Sequence, residues 1–378
     1  MRDHRREAPM RRIIRPLAVV VLAAVTTASG TAAAAERGGP LAPDSGPLAG
    51  GKLRATADQP FVGDRGPETL KGPNLQPVWG PADTGTWGQD TYDQIRAKGF
   101  TSVRFVLFWS HFEPAQGQWN ETAFTVLSKA LARAKAAGLY VVMDSVHLVG
   151  EDEGQRDVPV WARETDGMEA VAANGLGFLK ELASRYGDDE TVAAYDPVNE
   201  PHRWPVDHAG VLADYTKIVN AIRTVDADTS IVIEPTYGDA KVPASAFASF
   251  TPSSRTGLIW SFHDYYVGDA GEGYDANGVG KSPNASDGTT GYNASGKANM
   301  ATHLQVQIDI AARAGMPLWI GEFGIGAGAT GHDQFIKDKV ALYKSKGIGY
   351  AWWEYSDDGT FAMVDGNDAW KPWVSYLF

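Results

Sequence analysis

The chain has 378 residues and no cysteine. Disulfides, a thiol nucleophile and a zinc–thiolate site are therefore excluded. Basic residues are also short, at 34 Lys and Arg against 46 Asp and Glu. The anionic balance argues against nucleic acid or an anionic membrane as partner. No segment approaches eighteen consecutive apolar residues, so no membrane-spanning helix is predicted. No His-x-His pair follows the first predicted strand and no His-Glu-x-x-His occurs. The ligands of a metal-dependent barrel hydrolase are thus missing, and neither a metal nor a cofactor is expected.

What the N-terminus does have is order. Arg2, Arg5, Arg6, Arg11, Arg12 and Arg15 precede the apolar run Leu17–Val25, and the small residues Thr31–Ala35 follow. Basic, then apolar, then small is the pattern of a secretory signal over residues 1–35, which predicts an extracellular protein. Its removal would take away six arginines and two acids and leave a net charge of −16. Residues 36–60, rich in Gly, Pro and Ala without periodicity, read as a flexible lead-in.

From Phe61 onward short apolar runs alternate with longer amphipathic ones. Strands are predicted at Leu70–Leu75, Ser102–Phe108, Leu139–Ser145, Val192–Val198, Ser230–Glu234, Leu258–His263, Pro317–Glu322 and Ile348–Trp353. Helices are predicted at Thr91–Lys98, Glu121–Ala137, Gly167–Tyr186, Asp207–Val225, Lys297–Ala314 and His332–Lys346, with only Ala244–Ser249 after the fifth strand. Gly99, Gly138, Gly187, Gly315 and Gly347 stand where helices should end, a position that tolerates positive φ. Eight βα units without an internal repeat or linker predict a single-domain (β/α)8 TIM barrel over residues 61–378. The Gly-, Asn- and Asp-rich stretch 268–296 would then be a long rim loop.

Catalytic groups of such a barrel lie at the C-terminal ends of its strands. Asn199-Glu200-Pro201 ends the fourth strand and Gly321-Glu322-Phe323-Gly324 the seventh. Two carboxylates across one mouth are the minimum for glycosidic cleavage: one protonates the leaving oxygen and the other attacks the anomeric carbon. Together with Arg104 in Val103-Arg104-Phe105, His147 after Val142-Met143-Asp144, His263-Asp264-Tyr265 and Trp353, this order of motifs resembles glycoside hydrolase family 5 over nearly the whole mature chain.

The resemblance implies Glu200 as acid/base and Glu322 as nucleophile. Arg104 and Tyr265 would hold Glu322 ionised by lowering its pKa, while Glu200 would sit in a less cationic environment and start protonated. Asn199 would bind the sugar 2-hydroxyl, His147 and His263 would position sugar and carboxylates, and Trp353 would floor one ring. Alternation lets only one of Trp352 and Trp353 face inward; Trp353 is chosen because Tyr355 then shares its face.

Glu234 and Glu354 also end strands and are rival carboxylates, but neither has an amide or glycine beside it. Glu113, Glu151, Asp152 and Glu153 read as solvated loop charges. Trp79, Trp87, Trp109, Trp161, Trp204 and Tyr266 could stack sugars at the rim or belong to the core. Gly326-Ala327-Gly328-Ala329-Thr330-Gly331 spells a dinucleotide fingerprint, yet in the seventh unit of an exported barrel it reads as a rim loop. The expected function is a retaining β-glycoside hydrolase acting on a carbohydrate, foremost a β-1,4-linked polysaccharide, as a monomer. A glycolipid or a mannan is the alternative substrate, and a non-catalytic carbohydrate-binding barrel would have lost Glu200 or Glu322.

Overall fold

The computed structural model describes residues 48, 50–80, 87–148, 157–164, 167–203, 205–237, 241–265 and 292–378. The expected signal segment 1–35, residues 36–47 of the lead-in, Glu151, Asp152, Glu153, Trp204, Tyr266 and residues 268–291 of the Gly-rich stretch lie outside the described residues.

Eight strands close a parallel barrel: β1 (Lys71–Leu75), β2 (Ser102–Val106), β3 (Tyr140–Asp144), β4 (Val192–Asp196), β5 (Ser230–Ile233), β6 (Leu258–His263), β7 (Leu318–Phe323) and β8 (Tyr350–Trp352). Each pairs with its sequence neighbour and β8 returns to β1, as a (β/α)8 barrel requires. The strands are buried on both faces, which explains their near-continuous apolar texture. One face meets the helices: Val103, Phe105, Val141, Met143, Trp260, Phe262, Ile320 and Trp352 join the large outer core. The other fills the barrel with Leu70, Tyr140, Val142, Ala194, Val232, Ile259, Trp319 and Ala351.

Helices Glu121–Ala137 and His332–Lys346 have the predicted bounds. Asn120 caps the first by accepting from the Thr122 N–H, and Gly138 ends it at φ 73°. Gly99, Gly315 and Gly347 also end helices at positive φ, but Gly187 is right-handed at φ −62°. Space explains Gly187: a Cβ there would lie 2.5 Å from Asp226 Oδ2 and 2.7 Å from the Ala183 carbonyl. The single helix expected at Gly167–Tyr186 is broken into Gly167–Ala170, a five-residue π-type turn Val171–Gly175, and Leu176–Tyr186. Gly175 lets the Trp109 ring approach to 3.4 Å of where a Cβ would be, and wide turns are tolerated at such insertions.

The lead-in is partly packed. Leu53 and Ala55 are buried with Phe61 under the N-terminal ends of the strands, where Phe61 meets Trp319 edge-on at 6.0 Å. Arg54 bridges to Val62, and a small hairpin, Val62–Gly63 with Gly66–Pro67, follows. Among the described residues no helix is long and apolar enough to cross a membrane.

Candidate active site

The inward-facing positions change character at the strand ends. Arg104 on β2 is fully buried, and its guanidinium organises the mouth: Nε lies 2.9 Å from Asp196 Oδ2, Nη1 donates to Asn74 Oδ1 at 2.9 Å and to Glu322 Oε1 at 2.8 Å, and Nη2 donates to Asn199 Oδ1 at 2.9 Å. Asp144 and Glu234 stand 3.4 and 3.6 Å away. One cation thus faces four carboxylates, which a buried site tolerates only with dense hydrogen bonding and some protonation. Burial, and then the neighbouring Glu234 charge, push Asp196 well above the usual carboxylate range despite Arg104.

Glu322 takes a second donor on its other oxygen, from Tyr265 Oη at 2.8 Å. A register slip after Phe262 and Ile320 sets His263 beside Glu322. Gly321 makes the slip possible, since a Cβ there would stand 3.0 Å from Ser261 Oγ and 3.3 Å from His263 Nε2. Its N–H donates to that Ser261 hydroxyl at 3.0 Å. Burial pushes Glu322 up from its ordinary value, His263 and Arg104 pull it back, and Glu200 opposite pushes it up again. The net direction is upward, contrary to the lowering expected from Arg104 and Tyr265, because water is excluded and a second acid is close.

Glu200 is the more open of the pair, with 22% of its side chain exposed against 5% for Glu322. Its φ of 45° is left-handed, unusual for a residue with a Cβ, and its N–H is held by Glu234 Oε2 at 2.9 Å. Its environment is not as weakly cationic as expected: His263 Nδ1 stands 2.7 Å from Glu200 Oε1 and 3.4 Å from Glu322 Oε2. Oxygen and nitrogen atoms of Glu200, His263 and Glu322 lie within 4.8 Å of one another.

The remaining expected residues join the same mouth. Asn199 Nδ2 donates to the Leu148 carbonyl at 2.8 Å, fixing its amide with oxygen toward Arg104. His147 Nδ1 is 2.6 Å from Asp144 Oδ2, and its ring lies parallel to Trp353 with centroids 5.3 Å apart. Trp352 faces the outer core against Phe323 and Trp373. Tyr355 does not share Trp353's face: it packs on Trp87 and Trp370, because the strand has ended at Trp352 and alternation no longer applies.

Other rim residues divide. Trp109 is core, Trp79 is exposed, and Trp87 and Trp161 are partly buried with their indole N–H groups on the Gln76 and Glu113 carbonyls. Glu113 is not solvated: its carboxylate accepts from Trp109 Nε1 and the Gly117 N–H, both at 2.7 Å. In the Gly-rich 326–331 segment, Ala327 bonds to the Thr360 carbonyl and Gly331 starts the last long helix at φ 78°. Glu354, at the rim, is pushed up to about 7 by burial and then by Glu322's charge. Asn74, Asp144 and Asp196 are members of the site that the sequence motifs do not assign to it, and Glu234, a rival carboxylate in the sequence, joins them beside Arg104 and His263. Their signal in the sequence is a polar residue closing an apolar strand, which in a barrel points toward the mouth.

Comparison with known proteins bears on the fold and the family. The probable glucan 1,3-beta-glucosidase A of Aspergillus fumigatus is 27% identical over 153 residues, 38% of this chain and 36% of that protein. A beta-xylosidase of Phanerodontia chrysosporium is 22% identical over 293 residues, 71% and 56% of the two chains. The chain thus spans from about a third to just over half the length of the curated relatives it matches. Endo-glycoceramidase II of Rhodococcus sp., solved with ganglioside GM3, superposes with a TM-score of 0.67 at 19% identity, covering 84% of this chain and 80% of that one. An endoglucanase of Thermotoga maritima gives 0.63 at 19% identity, covering 82% and 97%. The family model described as Cellulase (glycosyl hydrolase family 5) matches residues 59–359, and the chain belongs to that family.

Proposed function

We propose that this protein is a secreted retaining β-glycoside hydrolase, with Glu322 as nucleophile and Glu200 as acid/base. The carrying observation is the unequal distribution of donors. Arg104 and Tyr265 each donate to a separate oxygen of Glu322, and neither bonds to Glu200. A carboxylate so held is an anion aimed at a carbon, whereas the more open Glu200 can exchange protons with water and a departing group. The approach of the two acids within 4.8 Å supports double displacement, which needs about 5 Å, over inversion, which needs roughly 6.5–9.5 Å to admit a water.

Glu322 attacks the anomeric carbon while Glu200 gives its proton to the leaving oxygen. Water then enters, Glu200 takes its proton, and the hydroxyl displaces Glu322. Asn199, tied to Arg104, is placed to meet the sugar 2-hydroxyl, and Trp353, backed by His147, offers a flat face to a ring. The substrate proposed first is a β-linked polysaccharide of the glucan kind; the Thermotoga endoglucanase shares the fold. A glycolipid is the second reading, favoured by the TM-score of 0.67 with the glycoceramidase. Export rests on the basic, apolar and small order of residues 1–35, and N-terminal sequencing of exported protein should begin after Ala35.

The mechanism is tested by trapping. A 2-deoxy-2-fluoro aryl β-glycoside should add one fluorosugar to the peptide bearing Glu322. Attachment to Glu200 or Glu234, or turnover of the parent glycoside with inverted configuration, would refute the assignment.

A further inference from the structure

Glu234 is 2% exposed, follows β5 directly, and has no part in the two-carboxylate reaction. A buried acid without a task is costly, yet this one is held on several sides. Its own N–H donates to Tyr215 Oη at 3.1 Å. Oε2 accepts from the Glu200 N–H at 2.9 Å, and Oε1 lies 3.1 Å from His263 Nε2. A side chain at Gly321 would intrude here, its Cβ standing 3.5 Å from Glu234 Oε1 and 3.3 Å from His263 Nε2.

The ring of His263 therefore has a carboxylate oxygen at each nitrogen: Glu234 at Nε2, Glu200 and Glu322 at Nδ1. An ionised carboxylate only accepts hydrogen bonds, and one of Glu200 and Glu322 is ionised at every stage beside Nδ1 while Glu234 faces Nε2, so only an imidazolium offers an N–H to the charge on each side. We propose that Glu234 is a positioning residue that keeps His263 an imidazolium, whose Nδ1–H serves Glu322 and Glu200 in turn as negative charge passes between them. This rests on the hydrolase reading above.

At the start Glu322 bears the charge and Glu200 the proton. When Glu322 bonds to the anomeric carbon and Glu200 gives its proton to the leaving oxygen, the charge moves to Glu200. His263 Nδ1, 2.7 Å from Glu200 and 3.4 Å from Glu322, already stands nearer the acid that gains the charge, and its proton stays on the ring. Deglycosylation by water reverses the shift. No proton is consumed at His263, so the stoichiometry of hydrolysis is unchanged.

The electrostatics agree. The charged groups around the ring are Glu200 after β4, Glu234 after β5, Glu322 on β7 and, behind the two latter, Arg104 on β2; Tyr265 lies beside it. Burial opposes the charged ring, but Glu234 first and Glu322 next raise His263 well above its ordinary value. Burial likewise opposes Glu234 ionisation, and His263 followed by Arg104 reverses it.

The test is 15N nuclear magnetic resonance of the histidine rings in the mature enzyme, with steady-state kinetics. In the wild type His263 should carry both ring protons at neutral pH. In Glu234→Gln its pKa should fall by about one unit or more, kcat should drop with KM little changed, and the basic limb of kcat should move to lower pH alongside the ring titration. Glu234→Asp should restore part of each. A neutral His263 in the wild type, or Glu234→Gln with unaltered ring titration and pH profile, would overturn the proposal. A neutral ring in the wild-type spectrum would refute the proposal even if the glutamine variant does not fold. Fluorosugar trapping on Glu322 does not depend on Glu234's charge, so it separates failure of this inference from failure of the hydrolase reading.

Discussion

Val142 and Asp144 are neighbours on the inner face of β3, as are Val232 and Glu234 at β5, and Ile259, Ser261 and His263 along β6. The first of each set fills the barrel base, and the last stands in the mouth. Each pleat step of two residues keeps a side chain on the same face while moving it about 7 Å along the strand. The base is closed by Leu53, Phe61 and Trp319 and holds hydrocarbon. The mouth holds Arg104 among four acids and a left-handed Glu200. Stability and chemistry are thus divided along the same strands, and the mouth retains strain and like charge that the base offsets.

Mutations should keep the two ends apart. The largest effect expected is on turnover: Glu322→Ala should lower kcat by about 10⁴-fold or more with no loss of thermal stability, checked by kinetics and a melt on one sample. At the other end, Trp319→Ala should cost about 3–5 kcal/mol of unfolding free energy and leave KM nearly unchanged. Denaturant titration beside kinetics checks it, and a large loss of turnover in a still-folded Trp319→Ala would break the division.

Removing the cation sharpens the contrast within the mouth. Arg104 is one of the groups pulling the buried Glu322 down, so Arg104→Met should raise Glu322 further. The nucleophile must be ionised, and activity is lost as pH falls through its pKa. The acid limb of kcat/KM should therefore move to higher pH, by about one unit or more; a limb that stays or moves down would contradict the placement. The smallest effect is on stability: Glu200→Gln is isosteric with the protonated acid of the resting mouth and should change the unfolding free energy by no more than about 0.5 kcal/mol, measured by denaturant midpoint.

The sequence carried the barrel because the barrel is periodic. Strand-length apolar runs, an Asn120 cap and a Gly138 stop are local signals, and helix Glu121–Ala137 follows from them to the residue. What was not legible depends on contacts between distant segments. The helix around Gly175, beside which the Trp109 ring packs, is interrupted by a π-type turn although its own periodicity is unbroken. Glu113 looks like a loop charge until Trp109 and Gly117 fold onto it. In the site, the carboxylate pair was visible because each acid lies in a distinctive local motif. Glu234 was set aside for lacking one, yet its partners Glu200 and His263 lie 34 and 29 residues away, and only barrel closure brings them together.

The division of labour between Glu200 and Glu322 is tested most directly by chemical rescue. Glu200→Ala should form the covalent intermediate from an aryl β-glycoside with a good leaving group and then stall; added azide, which needs no base, should restore turnover and give the β-glycosyl azide. Glu322→Ala cannot form that intermediate, and azide should attack directly to give the α-azide. The anomeric proton resonance distinguishes the products. The account predicts β from Glu200→Ala and α from Glu322→Ala; the reverse pairing, or full activity in either variant, would contradict it.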